Sequence, residues 1–189
     1  MHILLVLSGG IAAYKAPRIV SLLAEEGHEV RVVATRNALR FVSPLTLATL
    51  AGSEVLHDLW EGQGDHEMSH IRLPDWADLI LVAPATANLL GKVAHGIADD
   101  LASTLLNAAG TGDGMACPIV YSPAMNSRMW NHAATQENVA RLESWGAKVI
   151  PPEMGKLACK EMGLGRMPEP ETILNRLEEW GFLRSDRKE

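Results

Sequence analysis

Cysteine is scarce in this chain: of 189 residues only Cys117 and Cys159 are cysteines, far apart and in no C-x-x-C pattern. That excludes a disulfide framework and makes a reducing cytoplasm the default setting. Long hydrophobic runs are missing too. No apolar stretch approaches the ~20 residues of a membrane span. The start, Met1-His2-Ile3-Leu4-Leu5-Val6-Leu7, lacks a basic region and ends at a glycine pair. It reads as a first strand rather than a signal peptide. A basic excess is absent as well. With 17 Lys and Arg against 23 Asp and Glu, the net charge is -6, which argues against a broad nucleic-acid face. No repeat or linker divides the chain, so one domain over residues 1–183 is expected, with a charged, frayed tail at 184–189.

What is present is a rhythm of short apolar runs and longer helical ones. Strands are expected over residues 2–7, 29–34, 79–83, 119–122 and 148–150, apolar enough to be buried on both faces. Between the first two, Ile19, Leu22 and Leu23 follow helical spacing, with Pro17 near the start and Gly27 as a stop. A long helix is expected over 86–107, its apolar face carrying Leu89, Leu90, Val93, Ile97, Leu101 and Leu105. Further helices fit 133–145 and 171–180. The pattern predicts an α/β fold, a three-layer, doubly wound parallel sheet. Ligands bind such sheets beyond the strands' carboxyl ends.

The informative residues fall there. Ser8-Gly9-Gly10-Ile11-Ala12-Ala13 suits an anion at a helix start, but Ala13 replaces the third glycine of a dinucleotide fingerprint. Strand two ends in Thr35-Arg36-Asn37 with no acidic residue for an adenosine ribose, so a dinucleotide is disfavoured, and a mononucleotide site or a tight turn that needs glycine only for its backbone angles stays open. Thr86 and Asn88 sit at a helix start, where capping is the commoner duty. Ser122-Pro123-Ala124-Met125-Asn126-Ser127-Arg128-Met129-Trp130 packs an amide, a cation, two thioethers and an indole behind a strand. Local physics leaves two readings: a pocket wall with Asn126 pointing in, or a hydrophobic anchor for the next helix.

His66-Glu67-Met68-Ser69-His70 matches H-E-x-x-H formally. That zinc motif needs a helix, and between Gly64 and Pro74 the stretch is too short and broken for a secure one, so no metal site is expected. His70 keeps interest as an acid, base or electrostatic partner. Trp76 reads as core edge. Residues 155–167 carry Cys159 between Lys156 and Lys160, with Arg166 nearby, among three glycines and flanking prolines. This reads as a mobile flap over about 151–170 holding a thiol whose pKa the cations lower. Cys117, beside Pro118, reads as inert.

Taken together these segments resemble the homo-oligomeric flavin-containing cysteine decarboxylases. The resemblance runs in order from Met1 to about Pro170. It rests on Ser8-Gly9-Gly10-Ile11-Ala12-Ala13-Tyr14-Lys15, Ser69-His70-Ile71-Arg72-Leu73, and Trp76-Ala77-Asp78 leading to Ala83-Pro84-Ala85-Thr86-Ala87-Asn88. Pro123-Ala124-Met125-Asn126 with Met129-Trp130, and Ala158-Cys159 with Gly163-Leu164-Gly165-Arg166-Met167, complete it.

The resemblance implies FMN, a site at a subunit interface in a trimer or dodecamer, and decarboxylation of 4'-phosphopantothenoylcysteine. It implies that His70 and Cys159 are catalytic, Cys159 as proton donor, and that Asn126, Met129, Ala158 and Arg166 meet the substrate. It implies FMN contacts from Gly9, Gly10 and Ile11, from Thr35, Arg36 and Asn37, and from Phe41 and Ser43. Thr86, Ala87, Asn88, Leu89 and Ala124 complete that set. Cys159 disfavours peptidyl-cysteine relatives that stop at an enethiol. The Asn126 and Cys159 blocks disfavour a flavin prenyltransferase, and the joint presence of His70, Asn126 and Cys159 disfavours a non-enzymatic phosphatase regulator. Three departures stand out. The chain ends at Glu189, so the synthetase fused to many bacterial relatives is expected to be absent. Pro74-Asp75 replaces basic residues, giving no basis for phosphate contacts there. Lys160-Glu161 replaces the common Gly-Asp.

Overall fold

β1 (His2–Leu7) is apolar throughout and sends its side chains alternately into two cores. Ile3, Leu5 and Leu7 enter one, Leu4 and Val6 the other. The computed structural model, which describes residues 1–60, 69–158 and 161–183, shows why. β1 lies at the centre of a six-stranded sheet, paired in parallel with β2 (Glu29–Ala34) and β4 (Leu79–Ala85). β3 (Val55–Leu56), β5 (Ile119–Pro123) and β6 (Lys148–Val149) complete the order β3-β2-β1-β4-β5-β6. Chain direction across the sheet reverses between β1 and β4, which opens a crevice at their carboxyl ends.

One face is covered by α1 (Ala16–Glu25), α2 (Pro44–Ala51) and α8 (Pro170–Glu179). The other carries α3 (Ser69–Trp76), α4 (Ala87–Ala94), α5 (Leu101–Ala108), α6 (Ser127–Trp130) and α7 (Ala133–Ser144). The expected three-layer parallel fold is what the chain adopts. Pro17 lies in the first turn of α1, and Gly27, at φ +79°, follows its end.

The expected single helix over 86–107 is two helices. Gly96 takes φ +68°, while the Gly96 and Ile97 amides donate to Val93 and Lys92 carbonyls. This glycine-closed end satisfies carbonyls that a continuing helix would have used. Asp100 then opens α5 as a capping box with Ser103, accepting its amide at 2.8 Å. Ile97, expected on the buried face, is 48% exposed. The stretch between Gly64 and Pro74, expected to be too broken for a helix, lies outside the described residues up to residue 68, and from Ser69 onward it is helical, as α3, with Pro74 inside it. Burial of Leu73 and Ala77 in the core holds it, and Pro74 removes a single backbone donor. β3 escaped the sequence reading because two residues carry no periodicity.

β7 (Glu153–Lys156) and β8 (Met162–Arg166) form an antiparallel hairpin outside the sheet. Its arms are packed. The Gly165 carbonyl accepts the Met125 amide at 3.0 Å, and a Cβ on Gly165 would overlap the Met125 carbonyl oxygen. Arg166 bridges Glu153 at 3.1 Å and Glu169 at 3.3 Å. Glu169 in turn meets the buried Lys15 at 3.0 Å, whose ammonium also donates to the Met167 carbonyl. Cys159 and Lys160, and the tail from residue 184, lie outside the described residues.

Two substitutions test this packing. Gly165→Ala forces a side chain against fixed backbone and is expected to lower unfolding free energy by about 1–3 kcal/mol, read by urea denaturation. Faster proteolysis within residues 151–166 should accompany it; unchanged stability would place the hairpin elsewhere. Asp100→Ala removes a cap and is expected to cost about 1–2 kcal/mol at pH 7. Burial of Asp100 opposes ionisation, but bonds from the Ser103 amide and Lys92 outweigh it and lower the pKa. A lowered carboxyl pKa stabilises the fold above the unfolded value of 3.8 and loses that contribution as pH falls through the folded value. The gap between wild type and Asp100→Ala should therefore narrow below about pH 4.

Candidate functional site

The loops after β1 and β4 are tied by one side chain. Ser8, 2% exposed, donates its hydroxyl to the Pro84 carbonyl at 2.7 Å and accepts the Thr86 amide at 2.8 Å. The loop after β2 is brought in by Gly9. A Cβ there would overlap Asn37 Cβ and approach the Asn37 carbonyl carbon at 2.8 Å, so only glycine lets the two loops touch. Thr35 accepts the Ala38 amide and Thr86 accepts the Leu89 amide, each fixing its own turn. Thr86 thus performs the capping duty that its position suggested.

These loops floor a cleft of about 930 Å³. It is lined by Gly9, Gly10, Ile11, Thr35, Arg36, Asn37, Thr86, Ala87, Asn88, Leu89 and Ala124, eleven of the positions expected at the cofactor. Asn126, Met129, Ala158 and Arg166, expected at the substrate, line it too. The segment after β5 is therefore both pocket wall and anchor. Asn126 faces the cleft and caps α6 by accepting the Arg128 amide at 2.9 Å, Met129 is half-exposed, and Trp130 is buried in the core.

Three expected positions lie elsewhere. Phe41, 45% exposed, follows a short 3-10 turn, and Ser43 is the residue before α2; neither lines the cleft. His70, half-buried near the start of α3, does not line the cleft of its own chain. Of H-E-x-x-H, His66 and Glu67 fall outside the described residues; among the described residues no three metal-binding side chains cluster. Cys117 is buried, and burial together with Asp78 pushes its thiol up to about 11, a protonated and inert group.

Sequence reasoning missed the wall formed by His57, Asp58, Leu59 and Trp60, since it missed β3, whose carboxyl end they follow. It also missed Lys92, Asp99 and Asp100, which the break at Gly96 turns into the cleft. Burial alone would lower the Lys92 pKa, but its contacts with Asp99 and Asp100 outweigh burial and raise it. The cations of the cleft are thus largely neutralised: Lys92 by two aspartates, Lys15 by Glu169, Arg166 by two glutamates. Among the described residues, Arg36 is the lining cation with no carboxylate partner.

The cradle fits a flavin mononucleotide. Its volume is in the range of small-molecule sites. Residues 9–12, 35–37 and 86–89 bring backbone amides, side-chain amides and the Arg36 charge, with no acidic group among them.

Comparison with known proteins agrees with this geometry. The flavoprotein family profile matches residues 1–181. The chain is 47% identical over 173 residues to the coenzyme A biosynthesis bifunctional protein CoaBC of Bacillus subtilis, covering 92% of this chain and 41% of that protein. It therefore spans about two fifths of that relative's length. A solved mutant PPC decarboxylase, complexed with pantothenoylaminoethenethiol, matches with a TM-score of 0.83 at 33% identity, over 95% of this chain and 97% of that one. The FMN-binding protein AtHal3 matches with a TM-score of 0.78 at 34% identity, over 95% of each chain. With its profile match spanning nearly every residue and its own loops forming the cradle, the chain belongs to the flavoprotein family.

Proposed function

We propose that this chain binds FMN and decarboxylates 4'-phosphopantothenoyl-L-cysteine to 4'-phosphopantetheine, a step of coenzyme A biosynthesis, in the cytoplasm. The observation that carries the reading is the convergence in one cleft of three amide-rich loops with Asn126, Met129, Ala158 and Arg166. The complex of the mutant PPC decarboxylase with an enethiol supports it from outside, because an enethiol is what a decarboxylase leaves when its last proton transfer fails.

Arg36 and the amides near Gly9 and Asn37 would hold the FMN phosphate, with Thr86 to Leu89 and Ala124 along the rest of the cofactor. FMN bound there would supply reversible two-electron chemistry at the CH2–SH arm, so that the electrons left behind by CO2 have an acceptor in the oxidised arm. Asn126 presents a neutral amide to the substrate carboxylate, orienting it without a cation that would stabilise it as an anion. Cys159 would give carbon the proton that, together with the hydride equivalent returned by reduced flavin, converts the enethiol to a saturated thiol.

His70 is the remaining participant, and its place outside its own cleft supports a homo-oligomer, trimeric or dodecameric, in which a neighbouring copy delivers it. Ile71 and Ile97, 46% and 48% exposed, supply apolar surface on the same side of the sheet. There His70 assists thiol deprotonation or the geometry of oxidation.

Incubation with FMN and 4'-phosphopantothenoylcysteine, followed by mass analysis, tests the proposal. The expected product has lost CO2 and is a saturated thiol, and the purified protein is yellow. Turnover of a peptide with a C-terminal cysteine instead would move the substrate, and protein that takes up no FMN on reconstitution would sink the chemistry. Cys159→Ser should still release CO2 but accumulate the enethiol; a normal yield of phosphopantetheine removes Cys159 from the mechanism. Asn126→Asp should lose at least about 100-fold in activity through carboxylate repulsion and lost alignment.

A further inference from the structure

α3 carries His70 near one end and Trp76 at the other, and its two ends are held very differently. Pro74 lies inside the helix, so the amide that would bond back to the His70 carbonyl does not exist. Ile71 and Arg72 are exposed. The link between the turn bearing His70 and the rest of the helix thus lacks one backbone hydrogen bond.

That remainder is anchored by the buried Leu73, Pro74 and Ala77 and, beside them, by Trp76. Leu73, 4% exposed, enters the core that the α5 side chains share. Trp76, one turn on, is gripped by the sheet. The His2 ring stacks on it with centroids 4.7 Å apart and planes at 21°, and the Arg31 guanidinium lies 4.2 Å from its ring centroid. Both partners sit on the strands that form the centre of the sheet, β1 and β2. They are fixed in turn: the His2 amide donates to Asp78 at 2.7 Å, and Glu29 lies 3.4 Å from the His2 ring and 3.6 Å from Arg31. A buried leucine fixes where a helix lies, whereas a second contact is needed to fix how it turns.

We infer that Trp76 is a positioning residue for His70: the His2–Trp76–Arg31 stack sets the rotation of α3 and hence the aim of the imidazole about 9 Å further along the helix. The inference rests on the proposed role of His70. Its chemistry is stacking and cation–π attraction, which a smaller aromatic ring partly replaces and an alanine does not.

The test uses the full chain loaded with FMN and 4'-phosphopantothenoylcysteine, with wild type and His70→Ala alongside. Trp76→Ala is expected to lower kcat at least about tenfold, since a misplacement of order 1 Å costs up to about 100-fold, while KM and bound flavin stay within about twofold. Trp76→Phe is expected to recover most of the loss. With histidine ring carbons labelled, the His70 signal should move in Trp76→Ala even without cofactor. A kcat within about twofold of wild type and an unmoved His70 signal overturn the inference. If Trp76→Ala does not fold, His2→Ala with Arg31→Ala takes its place under the same criteria. Inactive wild type, or active His70→Ala, refutes the functional reading instead, and the His70 signal then still decides whether the stack aims the ring.

Discussion

The Ser8 hydroxyl is the contact on which the cleft depends. It sits in the loop after β1 and spans the switch point to β4 by donating to the Pro84 carbonyl and accepting from the Thr86 amide, both at the carboxyl end of β4. Without it the Thr86 amide and Pro84 carbonyl would lose a buried partner, and an unmade buried bond costs about 1–3 kcal/mol. The Gly9 contact with Asn37 then joins the third loop by excluding a side chain rather than by adding one. The floor of the cleft is thus set before any ligand arrives, which spares a ligand the cost of ordering it.

The same economy of side chains governs the opposite wall. Gly165 lets the hairpin lie against the Met125 backbone, and Arg166 spans two glutamates, one of which also neutralises Lys15. A segment whose three glycines and flanking prolines suggest mobility has arms held by backbone contact and ion pairs. Glycine here supplies closeness as much as freedom. Ala158 and Leu157, beyond those arms, still reach the cleft.

Much of this was legible because it follows from period and placement. Buried parallel strands announce themselves by unbroken apolar runs such as Ile3 to Leu7, and the loops after them must share one end of the sheet. That placed Gly9, Thr35, Thr86 and Asn126 together without any coordinates. What was illegible depends on competition between local signals. Gly96 as a helix end and Asp100 as a cap were both in the sequence, yet the apolar spacing across Ile97 argued for continuity, and the closing hydrogen bonds decided otherwise. In α3 the opposite happened: Pro74 argued against a helix, and burial of Leu73 and Ala77 outweighed it. His57 to Trp60 had no readable signal, since they owe their position to a two-residue strand.

The separation of His70 from the cleft constrains any account of the chemistry. One chain carries the cradle, Asn126 in its wall and a nearly balanced set of charges, but His70 lies outside that lining, half-buried near the start of a short helix that contains a proline. On the proposed reading a neighbouring copy meets this surface and receives the imidazole, and burial of the exposed Ile71 would supply the driving force. The accuracy of that delivery cannot come from the helix's own first turn, which lacks a hydrogen bond. It has to be imported from the sheet, to which the Trp76 stack joins this helix alongside the burial of Leu73 and Ala77.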